Sequence, residues 1–111
     1  MTAGEALERV DALLHNAYSQ EEKLAWLGQV ESRVSALMGK PFSPLGRQSL
    51  LLAGEPHSAM YLHWLESRIH YHNGEYDRYN NAASLFNGLF WDFEAQLLRK
   101  TAQPKGDPFR F

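Results

Sequence analysis

The stretch YDRYNNAASLFNGLFWDF, Tyr76 to Phe93, decides how this chain folds. Tyr79, Ala83, Phe86, Phe90, Phe93 and Leu97 follow one another at spacings of 4, 3, 4, 3 and 4. That is the a/d seam of a packed helix, sustained over more than two heptads. It predicts a long final helix from near Glu75 to about Lys100, with Arg99 and Lys100 where the helix dipole favours cations. The same stretch carries Asn80, Asn81 and Asn87 and no charge between Arg78 and Asp92. Asn forms helices poorly because its amide competes with the backbone for hydrogen bonds. Asn80 and Asn87 share a face beside the aromatic seam, while Asn81 and Ser84 lie on a third, polar face. Trp91, Leu89 and Phe93 point to different sides, and a helix apolar nearly all round is buried on more than one side. In a chain this small, part of that burial is expected against other chains. Asn80, Asn81, Asn87 and Trp91 are therefore candidate interaction residues. The asparagines are either hydrogen-bonding pins of register at a helix or subunit contact, as a core Asn is in coiled coils, or plain surface polar groups.

Upstream of this helix the pattern stays helical. Asn73-Gly74 suits a left-handed helix end. Before it, Leu62, Leu65, Ile69 and His72 fall on one helical face, and Tyr61, Trp64, Arg68 and Tyr71 on the next. Glu55-Pro56 reads as the start of that helix, with Pro in the first helical position. Residues 39–55 are punctuated by Pro41, Pro44, Gly46 and Gly54, and the apolar run Ser49–Ala53 fits either a helical turn or an extended segment. A second helix is expected from Gln20 to Met38, opened by the capping box Ser19-Gln20-Glu21-Glu22, with Leu24, Leu27, Val30, Val34 and Leu37 as its stripe and Trp26 and Met38 at the edges. Gly39 and Pro41 end it. A first helix follows the capping box Thr2-Ala3-Gly4-Glu5, with Ala6, Leu7, Val10, Leu13 and Leu14 at helical spacing, and ends near His15-Asn16. The short link to the second helix calls for a hairpin or sharp corner.

The expected fold is all-α: about four helices in two helical hairpins, with an aromatic-rich C-terminal helix and an irregular middle. Residues 1–102 form one domain and 103–111 an extended, flexible tail, broken by Pro104, Gly106 and Pro108. The expected core includes Leu27, Val34, Leu65, Ile69, Tyr79, Phe86, Phe90, Phe93 and Leu97. Phe109 and Phe111 in the tail are candidate anchors for a partner, since aromatic residues dominate interface hot spots.

Composition narrows the function. With 111 residues, 44% apolar and 13% aromatic, the chain can build one core and no second domain. A net charge of −2 lacks the basic surplus of a free-standing nucleic-acid binder. There is no cysteine, so neither disulfides nor thiol chemistry arises. The N-terminus has no basic region followed by an apolar core, and no window is apolar for long enough to span a bilayer, so a soluble chain kept inside the cell is expected.

Chemistry-bearing patterns are sparse. His57, His63, His70 and His72 fall close together, and His63, Glu66 and His70 share a helical face. Metal-binding helices usually offer His at i and i+4, or Glu before His at i+3. Here the order is reversed and no second helix supplies a matching pair, so exposed or edge histidines are expected, with no metal and no cofactor. The serines fall in caps, loops and polar faces without a nucleophile turn, and GKPFSPLG lacks the Lys-Ser/Thr of a phosphate loop. No enzyme activity is expected.

Two blocks, NAYSQEEKLAWLGQVESRV (Asn16–Val34) and HNGEYDRYNNAASLFNGLFWDF (His72–Phe93), resemble a family of small head-morphogenesis proteins from tailed phages and prophages of Gram-positive bacteria. The first block matches at Tyr18, Ser19, Glu21, Glu22, Lys23, Trp26 and Leu27. The more specific second block matches at Asn73, Gly74, Glu75, Tyr79, Asn80, Asn81, Phe86 and Asn87. The resemblance covers roughly Thr2 to Lys100. It departs at Pro56-His57-Ser58-Ala59-Met60-Tyr61, where the family usually has Pro-Tyr-x-x-Leu-Tyr, and in a shorter middle segment. What it implies is a head–tail connector, or neck adaptor, subunit that forms a ring at the portal. Its partners would be the portal, neighbouring neck and tail proteins and its own copies, with DNA only as passing cargo and no membrane. It would sit in the virion neck, and in the host cytoplasm before assembly. A bacterial helical interaction module or regulator outside any virion is the alternative.

Overall fold

The computed structural model describes residues 1–102; Phe109 and Phe111 lie outside them. Among the described residues the chain forms four α-helices and no strand: α1 (Ala3–Leu13), α2 (Gln20–Leu37), α3 (Ala59–His72) and α4 (Tyr76–Ala102). α3 is the central element, packing against α1, α2 and α4, while α1 and α2 also pack on each other. The 27 residues of α4 give it a length of about 40 Å.

The N-terminus of α1 shows how the irregular middle is placed. A helix start leaves four backbone donors without helical acceptors. Here the Thr2 N–H donates to the Glu5 carboxylate at 2.7 Å and the Glu5 N–H to Thr2 Oγ1 at 3.2 Å. The other two donors reach outside the helix: Ala3 N–H to the Ser49 carbonyl and Gly4 N–H to the Arg47 carbonyl, both at 2.8 Å. Leu51 N–H returns a bond to the Met1 carbonyl at 3.0 Å. The run Ser49–Ala53 is thus extended, not helical. Leu51 and Ala53 are buried and Leu50 is exposed, the alternation of an extended chain. Gly4 is needed here, because a Cβ would stand 2.9 Å from the Arg47 carbonyl oxygen. α2 opens with the expected capping box between Ser19 and Glu22.

Two details differ from the sequence expectation. α3 begins at Ala59, not at Pro56. The Glu55–Pro56 peptide is cis, and residues 54–58 form a turn closed by His57 N–H on the Gly54 carbonyl. The Ser58 hydroxyl bonds the Glu55 carboxylate instead of capping the helix. The buried face of α2 is also rotated. Trp26 is buried and Leu24 only partly so, while Leu37 is exposed and the charged residues Lys23 and Glu31 are inside.

Those two charges are each matched by partners. The Glu31 carboxylate accepts from Tyr61 Oη at 2.6 Å and from Leu52 N–H at 2.7 Å. Tyr61 Oη in turn accepts from Ala53 N–H at 3.0 Å, so one buried node ties α2, α3 and the extended segment together. Lys23 Nζ donates to Asp11 Oδ1 at 2.8 Å and Asn16 Oδ1 at 3.0 Å, closing the corner between α1 and α2. Burial raises the Asp11 pKa, but hydrogen bonds from Lys23, Asn16 and Gln20 outweigh it and hold the carboxyl below its usual range.

The aromatic seam of α4 packs where its spacing put it. Phe86, Phe90 and Phe93 are buried and Leu97 is partly buried against the core. Tyr79 is half-buried, with its ring 5.4 Å from that of Tyr71. Leu27, Val34, Leu65 and Ile69 are buried within the central cluster. Trp64 on α3 meets the Phe86 ring at 5.0 Å, and Arg33 on α2 lies over Phe90 at 4.5 Å. Each buried Phe contributes about 2 kcal/mol of hydrophobic free energy.

Candidate interaction surface

The two sequence blocks Asn16–Val34 and His72–Phe93 meet in space. Tyr18 Oη donates to Asn73 Oδ1 at 2.6 Å. Trp26 stacks on His72 with ring centres 4.9 Å apart and planes at 8°, and Tyr18 meets Trp26 edge-on at 5.3 Å. This joins the start of α2 to the α3–α4 turn, where Gly74 takes φ +77°, a left-handed conformation that suits glycine. His70 Nδ1 lies 2.7 Å from Glu75 Oε1 across the same turn. That hydrogen bond, reinforced by Asn73, outweighs desolvation and holds the Glu75 carboxyl below its usual range. Tyr18, Ser19, Glu22, Lys23, Trp26, Asn73, Gly74, Glu75 and Phe86 all serve the fold.

Asn80, Asn81 and Asn87 do not. All three are exposed on α4, and their amides bond no side chain among the described residues. They do not set the register between α3 and α4; that is left to the aromatic seam. Trp91 is 75% exposed, one turn beyond Asn87. Asn80, Ser84, Asn87 and Trp91 follow at spacings of 4, 3 and 4, so Ser84, expected on the third face with Asn81, instead joins one uncharged stripe flanking the buried seam. Among the described residues no side chain bonds the amides of this stripe.

The histidines are structural in their contacts. His63 Nδ1 lies 3.0 Å from Glu66 Oε1, but His70 turns to Glu75 instead of joining them. Among the described residues no three His, Asp or Glu side chains group as metal ligands. Buried His57 places Nε2 2.8 Å from Asp92 Oδ2, tying the turn before α3 to α4. Arg68 lies over the rings of Trp64, Tyr71 and Tyr79 at 4.6, 5.2 and 5.3 Å, a cation–π cluster bridging α3 and α4.

A second surface feature was not legible in the sequence. The outer side of α2 and the loop after it enclose an apolar groove of about 500 Å³, lined by Leu24, Ala25, Gly28, Phe42, Pro44 and Leu45. Glu21, Gln29 and Ser32 form its polar margin. The groove exists because the loop folds back over α2 and holds Phe42 near Gly28, a long-range contact with no local sequence signal.

No protein-family model matches the chain, and comparisons with curated proteins and with solved structures likewise find no match. No described helix is long and apolar enough to cross a membrane.

Proposed function

We propose that the chain is a non-enzymatic structural subunit of a tailed phage or prophage, a small head–tail connector that assembles with its own copies at the portal and offers a platform to the next neck or tail protein. The observation that carries this reading is the division of labour within the second motif block. Its other matched residues build the α3–α4 turn and the core, whereas Asn80, Asn81 and Asn87 stand exposed with no bond to another side chain. Beside them Trp91 presents most of its ring to solvent. An exposed Trp beside uncharged amides has the composition of an interface centre, where Trp is enriched and charge depleted.

Negative-stain images of the protein mixed with its cognate portal test the reading. An added ring of density on the portal is the expected result. Portals that stay bare at saturating protein overturn it and favour an interaction module outside any virion. Portal and capsid genes beside the coding sequence are expected as well.

A further inference from the structure

We infer that Trp91 of one copy seats in the apolar groove on α2 of a second copy, making a head-to-tail contact between unlike surfaces. The inference rests on the reading of the chain as a self-assembling subunit and names the surfaces that would meet. The chain carries both halves of such a contact on different helices. α2 and α4 each pack on α3, and the groove lies on the side of α2 turned away from that core. Trp91 projects from α4 at 75% exposure. A contact between two different patches propagates from copy to copy and closes into a ring when the rotation permits, which self-pairing of one patch does not do.

The chemistry of the halves is complementary. The floor is apolar, and at about 500 Å³ it has room for an indole ring. Its margin carries acceptors on Glu21, Gln29 and Ser32 and no Lys or Arg. The Trp91 indole has one N–H donor, which needs such an acceptor once the ring leaves water.

Two glycines point the same way. Gly28 and Gly88 both lie inside helices, where glycine costs about 0.5–1 kcal/mol relative to alanine. Neither is required by the fold. A Cβ on Gly28 would make only ordinary contact with Phe42 at 3.5 Å, and one on Gly88 would meet nothing within 4 Å. Gly28 keeps the groove floor low, and Gly88, three residues before Trp91, lets another molecule approach the α4 backbone.

The test uses the absence of native cysteine. Asn87→Cys in one preparation and Gln29→Cys in another place single thiols beside the ring and beside the groove. The two are mixed at high concentration and treated with a short bismaleimide. The expected product is the mixed 87–29 dimer, well above the 87–87 and 29–29 products and above a control pairing of Gln29→Cys with Glu8→Cys. Adding Trp91→Ala to the first partner, or the groove-filling Gly28→Leu to the second, lowers the yield about tenfold or more, as loss of an interface anchor does. Circular dichroism of each variant checks that the helices are intact. A mixed yield equal to the control, or one indifferent to Trp91→Ala, overturns the inference, and a dominant 87–87 product replaces it with α4-to-α4 pairing. Rings on the portal without this cross-link overturn the contact and leave the connector reading standing. The cross-link with a bare portal does the reverse.

Discussion

Replacing Tyr61 by Phe removes one oxygen from the buried node and nothing from the hydrocarbon packing. Tyr61 is fully buried, and its hydroxyl donates to Glu31 at 2.6 Å while accepting from Ala53 N–H at 3.0 Å. The substitution leaves a buried N–H without an acceptor and a buried carboxylate oxygen without its donor. Each orphan costs about 1–3 kcal/mol, and Glu31 keeps its second bond from Leu52, so a loss of about 3 kcal/mol is expected. That is a large part of the 5–15 kcal/mol typical of a whole domain. Urea unfolding followed by circular dichroism reads it: with a slope of about 1.5 kcal/mol/M, the midpoint falls by about 2 M. Pairing Tyr61→Phe with Glu31→Met falls short of the two single losses added, by about 0.5–3 kcal/mol, because the partners then vanish together. Burial, then the hydrogen bond to Glu31, pushes the Tyr61 phenol well above its usual pKa. The folded chain therefore keeps a proton that the unfolded chain releases. This contribution to stability is fully present below the unfolded phenol's pKa near 10 and is lost as pH rises above it, by up to about 1.4 kcal/mol per pH unit. Tyr61→Phe flattens that alkaline limb. A loss under about 0.5 kcal/mol, strict additivity in the double variant and an unchanged alkaline limb would together refute the node as drawn.

Three further perturbations separate the fold's supports from its surface. The pair of Asp11 and Lys23 is asymmetric, since the Lys23 side chain is 3% exposed and that of Asp11 36%. Asp11→Ala, which strands a buried ammonium, should cost about 3 kcal/mol in urea unfolding, more than Lys23→Met, which leaves a carboxylate that water can reach. Gly4→Ala should destabilise by about 1–3 kcal/mol despite alanine's better helix propensity, because its Cβ meets the Arg47 carbonyl; a gain in melting temperature would show that the extended segment yields freely. Phe86→Ala should cost about 3–5 kcal/mol, while Asn87→Ala, at an exposed position, changes stability by no more than about 0.5 kcal/mol in urea unfolding.

The helices were legible because their determinants are local. The 4-3-4-3-4 seam from Tyr79 to Leu97, the capping boxes at Thr2 and Ser19 and the Asn73-Gly74 end are each settled within a few residues, and α2 and α4 run close to their expected bounds. The start of α3 was misread because Pro56 suits a first helical turn by type, but here it belongs to the turn over residues 54–58. Lys23 and Glu31 are buried although nothing in the local sequence around them marks it. Their burial depends on Asp11, Asn16, Tyr61 and Leu52, which lie 12, 7, 30 and 21 residues away along the chain.

The sequence by itself determined the secondary structure and the side of α4 that packs, because hydrophobic periodicity and capping act over one or two helical turns. It also marked Trp91 and the asparagines as residues apart from the seam. Only the tertiary structure decided that the asparagines stand exposed without bonding another described side chain, that residues 49–53 extend across the start of α1, and that the loop folding back over α2 leaves an apolar groove. Those features depend on which distant backbone groups satisfy one another and on how much solvent each side chain retains, and neither quantity exists until the helices are packed.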